Sequence, residues 1–279
     1  MAGLEGKVVL ITGAGGMRGV GRATALKLAS QGADLAITDV HREPADLPPH
    51  EVRLGWQGLN SVASEVGEMG RRCLPLVCDL GQSDQIEQMV SQAVEHFGHI
   101  DILVNNAGIL ATETTQNIET TSLAQWRTVQ QVNVEGVFMG CRMAVSIMKD
   151  AGGSIVNISS TAGLVGSPML LAYGASKGAV RLLTKGVALH CARQRYQIRC
   201  NSVHPGPIET DMGDALLGLQ NYIDGPNLES KWEIMRRRIP TGNTGMASDV
   251  ASCILFLASD DSVHMTGSEL VVDGGMTAN

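Results

Sequence analysis

Residues 8–21 read Val8-Val9-Leu10-Ile11-Thr12-Gly13-Ala14-Gly15-Gly16-Met17-Arg18-Gly19-Val20-Gly21, and this stretch decides the fold. The apolar run predicts a strand buried on both faces and ending at Thr12. The glycines after it predict a tight turn. Apolar residues then recur at helical spacing from Arg22 to Ser30. Strand, glycine turn and helix together make an anion cradle. Bare backbone can approach a ligand closely, and the helix N-terminus offers free N–H groups and a favourable dipole. A glycine turn alone is weak evidence, because a purely structural bend competes with it. The context points to a dinucleotide. Asp34 to Thr38 (DLAIT) reads as the next strand, and Asp39 follows it, 18 residues after Gly21. A ribose-binding acid is expected at roughly 20 residues.

The same rhythm continues outward. Leu74 to Cys78 predicts a third strand, ended by Asp79 and Leu80. Ser83 is expected to N-cap a helix whose Ile86, Met89, Val90, Ala93, Val94 and Phe97 share one face. Strands are predicted at Ile100 to Val104, Ser154 to Ile158, Gln197 to Val203 and Glu269 to Val272. Helices are predicted from about Ser122 to Lys149, Tyr173 to Arg193 and Ser248 to Leu257. Near-continuous apolar strands alternating with helices predict an α/β fold: a doubly wound, Rossmann-type parallel sheet in a single domain over residues 1–279. Two segments fall outside the rhythm, a Pro-rich insertion at about 41–60 and a loop at about 206–246. Long loops in a compact α/β domain are usually functional.

Composition excludes several classes. With 44% hydrophobic and 18% charged residues, the chain has ample core material. Its 33 glycines follow no three-residue period, which excludes collagen. Lys and Arg number 21 against 28 Asp and Glu, a net charge of −7, and the longest basic run is Arg236-Arg237-Arg238. That argues against nucleic acid as a partner. No apolar run approaches roughly 18 residues, so no membrane span is expected. The N-terminal MAGLEGKVVLITG lacks the pattern of a secretion signal. The six cysteines (73, 78, 141, 191, 200, 253) make no CxxC pair, so buried reduced thiols, a cytoplasmic location and no metal centre are expected.

Candidate chemistry lies at the other strand ends. Tyr173-Gly174-Ala175-Ser176-Lys177 opens a helix, and Tyr173 and Lys177, at i and i+4, share a face. Ser160 lies 13 residues upstream, just past the fifth strand. Strand carboxyl ends and the helix starts that follow them meet at the ligand crevice of open α/β sheets, so these three side chains can converge beside a nucleotide. Each alone is as readily a packing or surface group. Asn105-Asn106-Ala107-Gly108 follows the fourth strand, where asparagine side chains can lock a loop; alone it reads as an ordinary turn.

Taken in order, these residues resemble the short-chain dehydrogenase/reductase family, in its single-domain branch. The resemblance spans nearly the whole chain. It includes Thr12-Gly13 with Gly19-Val20-Gly21, Asp79, Asn105 to Gly108, Asn133, Ser160, Tyr173-x-x-x-Lys177, Pro205-Gly206-Pro207-Ile208-Glu209-Thr210, and Gly267 to Gly275 (GSELVVDGG). One departure stands out: five residues, Ala14 to Arg18, occupy a gap where the family usually has three.

The resemblance implies NAD(H)-dependent exchange of a hydride between a secondary alcohol and a ketone. It implies Tyr173 as general acid/base, Ser160 as hydrogen-bond donor to the reacting oxygen, Lys177 as partner of the phenol and the nicotinamide ribose, and Asn133 as holder of a water. An ammonium and an oxidised nicotinamide beside the phenol would both lower its pKa from about 10. The implied cofactor contacts are Gly13, Gly15, Arg18, Gly19 and Val20 at the pyrophosphate turn, and Asp39 at the adenosine hydroxyls. Asp79 and Leu80 would lie by the adenine, Asn106, Ala107 and Gly108 by the adenosine ribose, and Tyr173, Lys177, Pro205, Gly206, Ile208 and Thr210 around the nicotinamide. A homotetramer is implied too, with the helices at 122–149 and 173–193 pairing across a two-fold axis. Gly174, Ala175, Gly178, Ala179, Leu182, Leu183 and Gly186 fit that role, being small or apolar beyond one buried face.

Cofactor choice carries an internal conflict. Asp39 would repel a 2′-phosphate and favours NAD. Arg18 and Arg42 could attract one, unless Arg18 pairs with Glu43 or Asp46 of the insertion. NAD is expected to win. The substrate pocket is expected around Leu110, Thr161 to Leu170 and Thr210 to Pro240. Met169, Leu170, Met212, Leu216, Leu217, Leu219 and Met235 make that region apolar. This suits an alicyclic, aromatic or steroid-like alcohol, but a lid burying its own core face reads equally well. Competing readings are a 3-oxoacyl thioester reductase, an isomerase or epimerase, and a nucleotide-binding sensor without turnover.

Overall fold

Seven parallel strands stand in the order β3-β2-β1-β4-β5-β6-β7. They are Val8–Thr12 (β1), Asp34–Asp39 (β2), Cys73–Val77 (β3), Ile102–Asn105 (β4), Gly153–Ile158 (β5), Ile198–Pro205 (β6) and Glu269–Val272 (β7). The computed structural model describes residues 3–43, 45, 47–110, 117–219 and 222–278. The strand order reverses beside β1, which runs Val8↔Asp34 against β2 and Val9↔Ile102 against β4. A doubly wound sheet opens a ligand crevice at such a switch point. All seven strands and their parallel sense agree with the expectation, within one or two residues at their ends.

Helices cover both faces. They are Val20–Ala29 (α1), Pro49–Arg53 (α2), Leu59–Glu68 (α3), Ser83–Phe97 (α4), Leu123–Gln130 (α5), Gly136–Met148 (α6), Leu171–Arg193 (α7), Asp211–Gly218 (α8), Leu228–Arg238 (α9) and Ala247–Ala258 (α10). One core layer joins Val9, Ile11, Leu28, Leu35, Val62 and Ile254; the other joins Leu10, Ile86, Leu103, Val137, Ile155 and Val180. Adjacent β1 residues thus feed opposite cores, as a strand's two-residue period requires.

Three details differ from the sequence reading. The helix expected over 122–149 is interrupted by a π-helical turn, Gln131–Glu135, that carries Asn133. Ser83 is the first residue of α4 and its side chain makes no cap; Gln82 occupies the cap position. The insertion at 41–60 is not wholly irregular: it holds α2 and runs directly into α3, whose Leu59, Val62 and Val66 are buried. Its prolines hide that helical pattern. Of the cysteines, 78, 141, 191 and 200 are buried, whereas Cys73 and Cys253 are half-buried; all six are unpaired.

Candidate active site

The β1 end is locked to the β4 end by hydrogen bonds. The Thr12 hydroxyl accepts the N–H groups of Asn106 and Ala107, both at 3.0 Å. Asn106 Nδ2 donates to the carbonyls of Thr12 and Gly13, both at 2.9 Å. The Asn105 loop is therefore a strap on the glycine turn rather than an independent bend. The turn needs its glycines. Gly13 has φ +70°, and a Cβ there would lie 2.7 Å from Ala107 Cα. A Cβ on Gly21 would lie 2.1 Å from the Gly13 carbonyl oxygen.

The insertion clamps the lengthened part of the turn. Gly15 N–H donates to Asp39 Oδ2 at 2.7 Å, and the Gly15 carbonyl accepts Arg42 Nη2 at 2.9 Å and Trp56 Nε1 at 2.8 Å. Met17 N–H donates to Glu51 Oε1 at 2.7 Å, and the Met17 carbonyl accepts Arg22 Nη1 at 3.1 Å. Glu51 is fully buried and its Oε2 pairs with Arg42 Nη1 at 3.0 Å. Arg18 reaches neither Glu43 nor the cleft. It pairs with Asp214 at 2.6 Å and Asp211 at 3.5 Å, both on α8, while Glu43 pairs with His41. The lengthened turn swings Arg18 toward the 206–246 loop, which overturns the suggested Glu43 partner; Asp46 lies outside the described residues. Asp39 keeps the place expected of it, at the cleft wall. Burial raises its carboxyl above the usual range, against the lowering effect of the Gly15 and Val40 N–H groups and of Arg42.

At the opposite end, β5, α7 and the π turn bring the polar residues together. Lys177 is buried and its Nζ donates to the Ile158 carbonyl at 2.9 Å, 5.5 Å from the centre of the Tyr173 ring. Ser160 hydrogen-bonds the Tyr173 phenol, and its hydroxyl also accepts the Ala162 N–H at 3.1 Å. Asn133, fully buried, donates Nδ2 to the Ile109 carbonyl at 3.0 Å and to Ser176 Oγ at 3.1 Å, and accepts the Ile109 N–H at 2.8 Å. Beneath Ser160, buried His204 has Nδ1 3.3 Å from the Ser160 carbonyl and Nε2 2.8 Å from Ser202 Oγ.

Desolvation pushes the Tyr173 phenol up to about 12, against the lowering effect of Ser160. Desolvation pushes the Lys177 ammonium down to about 8. Without a bound positive charge, the phenol is protonated at neutral pH.

A cleft of about 850 Å³ joins the two ends, the size range of small-molecule sites. Its wall includes Gly13, Gly19 and Val20; Asp39, Asp79 and Leu80; Asn106, Ala107 and Gly108; Ser160, Tyr173 and Lys177; and Pro205, Gly206, Ile208 and Thr210. Bare glycine backbone at one end, a carboxylate beside it and a long apolar trough fit a dinucleotide. Gly15, Arg18 and Asn133 are off the wall. Asn106 lines the cleft, but its amide is spent on the β1 backbone.

The sequence did not single out Gly16, Val40 and Met276 on the wall, or the Glu51 clamp behind it. Tyr222 and Trp232 fall within the expected 210–240 region, and Arg42 lies on the wall near Asp39 where a 2′-phosphate partner was considered; Glu51 gave no local signal. Both substrate-loop readings hold in part. Leu217, Ile223, Trp232, Met235 and Ile239 form a small core of their own, while Leu170, Met212, Leu216, Leu217 and Met235 also face the cleft. Met169 and Leu219 do not line it.

A family model described as enoyl-(acyl carrier protein) reductase matches residues 13–277. The chain is 37% identical over 278 residues to an NADP-dependent (R)-specific alcohol dehydrogenase of Lentilactobacillus kefiri, covering 99% of this chain and 98% of the relative. It is 38% identical over 274 residues to a 3-oxoacyl-[acyl-carrier-protein] reductase of Thermotoga maritima, covering 98% of each. It is 37% identical over 280 residues to cyclopentanol dehydrogenase of Comamonas testosteroni, covering 100% of each. Among solved structures, levodione reductase superposes with TM-score 0.87 at 32% identity, covering 98% of each chain. NAD+-bound xylitol dehydrogenase superposes with TM-score 0.85 at 32% identity, covering 98% of this chain and 99% of the other. By sequence along its length, by strand order and by the arrangement of its cleft, the chain belongs to the short-chain dehydrogenase/reductase family of oxidoreductases.

Proposed function

We propose that the protein interconverts a secondary alcohol and a ketone with NAD(H), using Tyr173 as general acid/base. The observation that carries this reading is the convergence of Ser160, Tyr173 and Lys177 on the wall of the cleft that begins at the glycine turn. When bound, NAD+ supplies the hydride-accepting ring and a positive charge beside the phenol. This chain's residues supply the rest. The backbone of Gly13, Gly16, Gly19 and Val20 would hold pyrophosphate, and Asp39 the adenosine hydroxyls. Asp79 and Leu80 would flank the adenine, and Pro205, Gly206, Ile208 and Thr210 the nicotinamide. Ser160 donates to the substrate oxygen and steadies its developing charge. Tyr173 takes the alcohol proton during oxidation and returns it during reduction. Lys177, largely charged below pH 8, favours the phenolate and holds the nicotinamide ribose. Asn133 positions the loop at Ile109, beyond β4, and α7 through Ser176.

The choice of NAD over NADP rests on the Asp39 carboxylate, with Arg42 and Arg18 already engaged elsewhere. The substrate proposed is an alicyclic secondary alcohol, because Val165, Leu170, Met212, Leu216 and Trp232 give the cleft an apolar wall. The names of two relatives, cyclopentanol dehydrogenase and levodione reductase, point the same way. A homotetramer is proposed from apolar residues left on the outer faces: Leu182 and Leu189 of α7, Phe138 of α6 and Val271 of the edge strand β7. The unpaired cysteines suit a reducing cytoplasm.

The deciding experiment follows reduced-nicotinamide absorbance with NAD or NADP and a panel of cyclic alcohols. Turnover with NAD is expected. Reduction confined to 3-oxoacyl thioesters would select the ketoreductase reading. Nucleotide binding without turnover on any ketone or alcohol would select the sensor.

A further inference from the structure

Three charges stand where the adenosine end of the cleft meets the insertion. Asp39 and Arg42 are both on the cleft wall, three residues apart at the β2 end. Glu51, on α2, is behind them and fully buried. A guanidinium at that place would ordinarily be available to an anion entering beside Asp39. Here it is engaged on two sides, by the Gly15 carbonyl at 2.9 Å and by Glu51 Oε2 at 3.0 Å. The Arg42 side chain remains 23% exposed, so it is held at the wall rather than buried away from it. Glu51 also holds the turn, through Met17 N–H at 2.7 Å, and Trp56 Nε1 donates to the same Gly15 carbonyl at 2.8 Å.

His50, Glu51 and Asp211 carry potential ligand atoms within 4.8 Å of one another. Arg42 and Arg18 are already seated on the two carboxylates. The charges there are compensated within the chain, which argues against a divalent cation and for an ion-pair network.

We propose that Glu51 is a cofactor-selectivity residue: by neutralising Arg42 from behind the cleft wall, it withholds a cation that could bind an adenosine 2′-phosphate beside Asp39. The inference rests on the nucleotide reading of the cleft given above. Selectivity against the phosphate then has two parts. Asp39 repels it directly, and Glu51 removes the compensating attraction without touching the ligand. The 41–60 insertion and the two extra turn residues form one unit, because α2 of the insertion supplies the acceptor for Met17 N–H and the counter-charge for Arg42.

The test compares binding of AMP and adenosine 2′,5′-bisphosphate by titration calorimetry, which needs no turnover. Glu51→Gln keeps an acceptor for Met17 N–H and removes the charge. It should shift the affinity ratio about tenfold toward the bisphosphate. The double variant Glu51→Gln/Arg42→Gln removes both members of the pair and restores the charge balance, so its ratio should return to within about twofold of wild type. An unchanged ratio in Glu51→Gln with normal AMP affinity would overturn the proposal. So would a double variant that discriminates against the bisphosphate much more strongly than wild type, because Arg42 would then already be serving the phosphate. Should Glu51→Gln alone fail to bind AMP, Glu51→Gln/Arg42→Lys compared with Glu51→Gln/Arg42→Gln decides: the uncompensated lysine should move the ratio toward the bisphosphate, and equal ratios in the two double variants would overturn the proposal. Failure of wild type to bind AMP at all would count against the nucleotide reading instead.

Discussion

The two ends of the cleft are built from contacts of different reach. At the Tyr173 end, the key groups are tied mostly to main chain and near neighbours: Lys177 to the Ile158 carbonyl, Ser160 to Ala162 N–H, Ser176 to the Tyr173 carbonyl. At the glycine turn, the ties are long-range side-chain contacts. Glu51 reaches back 34 residues to Met17, and Arg18 reaches forward 196 residues to Asp214. The first end is a constellation that a strand end and one helix turn impose almost by themselves. The second is assembled by an insertion and a lengthened turn that exist for each other. One consequence is that the chemistry end should tolerate little change in side-chain type, while the nucleotide end should be tunable from residues that never touch a ligand.

The comparison can be broken most severely at Gly21. A Cβ there would lie 2.1 Å from the Gly13 carbonyl oxygen and 2.8 Å from Asn106 Nδ2, and neither can retreat without undoing the strap. Gly21→Ala should cost about 3 kcal/mol or more of stability, read as a large fall in Tm, together with loss of nucleotide binding. A fall of less than about 1 kcal/mol would mean that the turn is softer than its hydrogen bonds indicate.

Lys177 tests the opposite end. Its folded-state pKa of about 8 lies below the ordinary value of 10.5. Below pH 8 it is charged in both folded and unfolded chains, and the burial penalty is fully present. Between pH 8 and 10.5 the folded chain gives up the proton while the unfolded chain keeps it, so stability rises with pH in that window. The nucleotide-free wild type should therefore gain up to about 3 kcal/mol relative to Lys177→Met across that window. Denaturant titrations at several pH values would measure the difference, and the same variant should lose both turnover and nucleotide affinity. A difference that is flat with pH would show that Lys177 is well solvated.

Asp39→Ser sharpens the comparison at the nucleotide end. Because Arg18 and Arg42 are both engaged, removing the acid lifts a repulsion without freeing a cation. The proposed preference for NAD over NADP in kcat/KM should narrow by about tenfold and not invert. Inversion would mean that one arginine is free after all. The smallest effect is expected for Arg18→Ala. Its partnership with Asp214 is partly solvated, so stability should change by less than about 1 kcal/mol. A selective loss of NADP use in that variant would return Arg18 to the cleft.

The legible part of the molecule was its local part. Buried β strands announce themselves as continuous apolar runs, and the Tyr173 to Lys177 spacing fixes a shared helix face wherever that helix lies. The Asp39 position followed from the length of one βα unit. Illegible were features whose cause lies far along the chain. The π turn at Asn133 keeps a helical hydrophobic pattern, so periodicity reads straight through it. Leu59 to Glu68 follows a Pro-rich run that masks the onset of α3. Arg18 was given a partner within the insertion, whereas it pairs with Asp214 and Asp211 of α8, nearly 200 residues away, which no local pattern announces. The rise of the Tyr173 phenol to about 12 was also hidden, since desolvation depends on how tightly the cleft wall closes around it.

The central claim is that the convergence at Tyr173 performs the chemistry while the far end of the cleft holds the nucleotide. Tyr173→Phe removes the titratable hydroxyl and little else. The direct measurement pairs two readouts on this variant: NADH affinity by fluorescence titration, and turnover of a cyclic alcohol that the wild type oxidises. The account predicts NADH affinity within about threefold of wild type and turnover lowered by at least roughly 10²–10⁴-fold. A variant that binds NADH normally and keeps a tenth of the wild-type rate would contradict it.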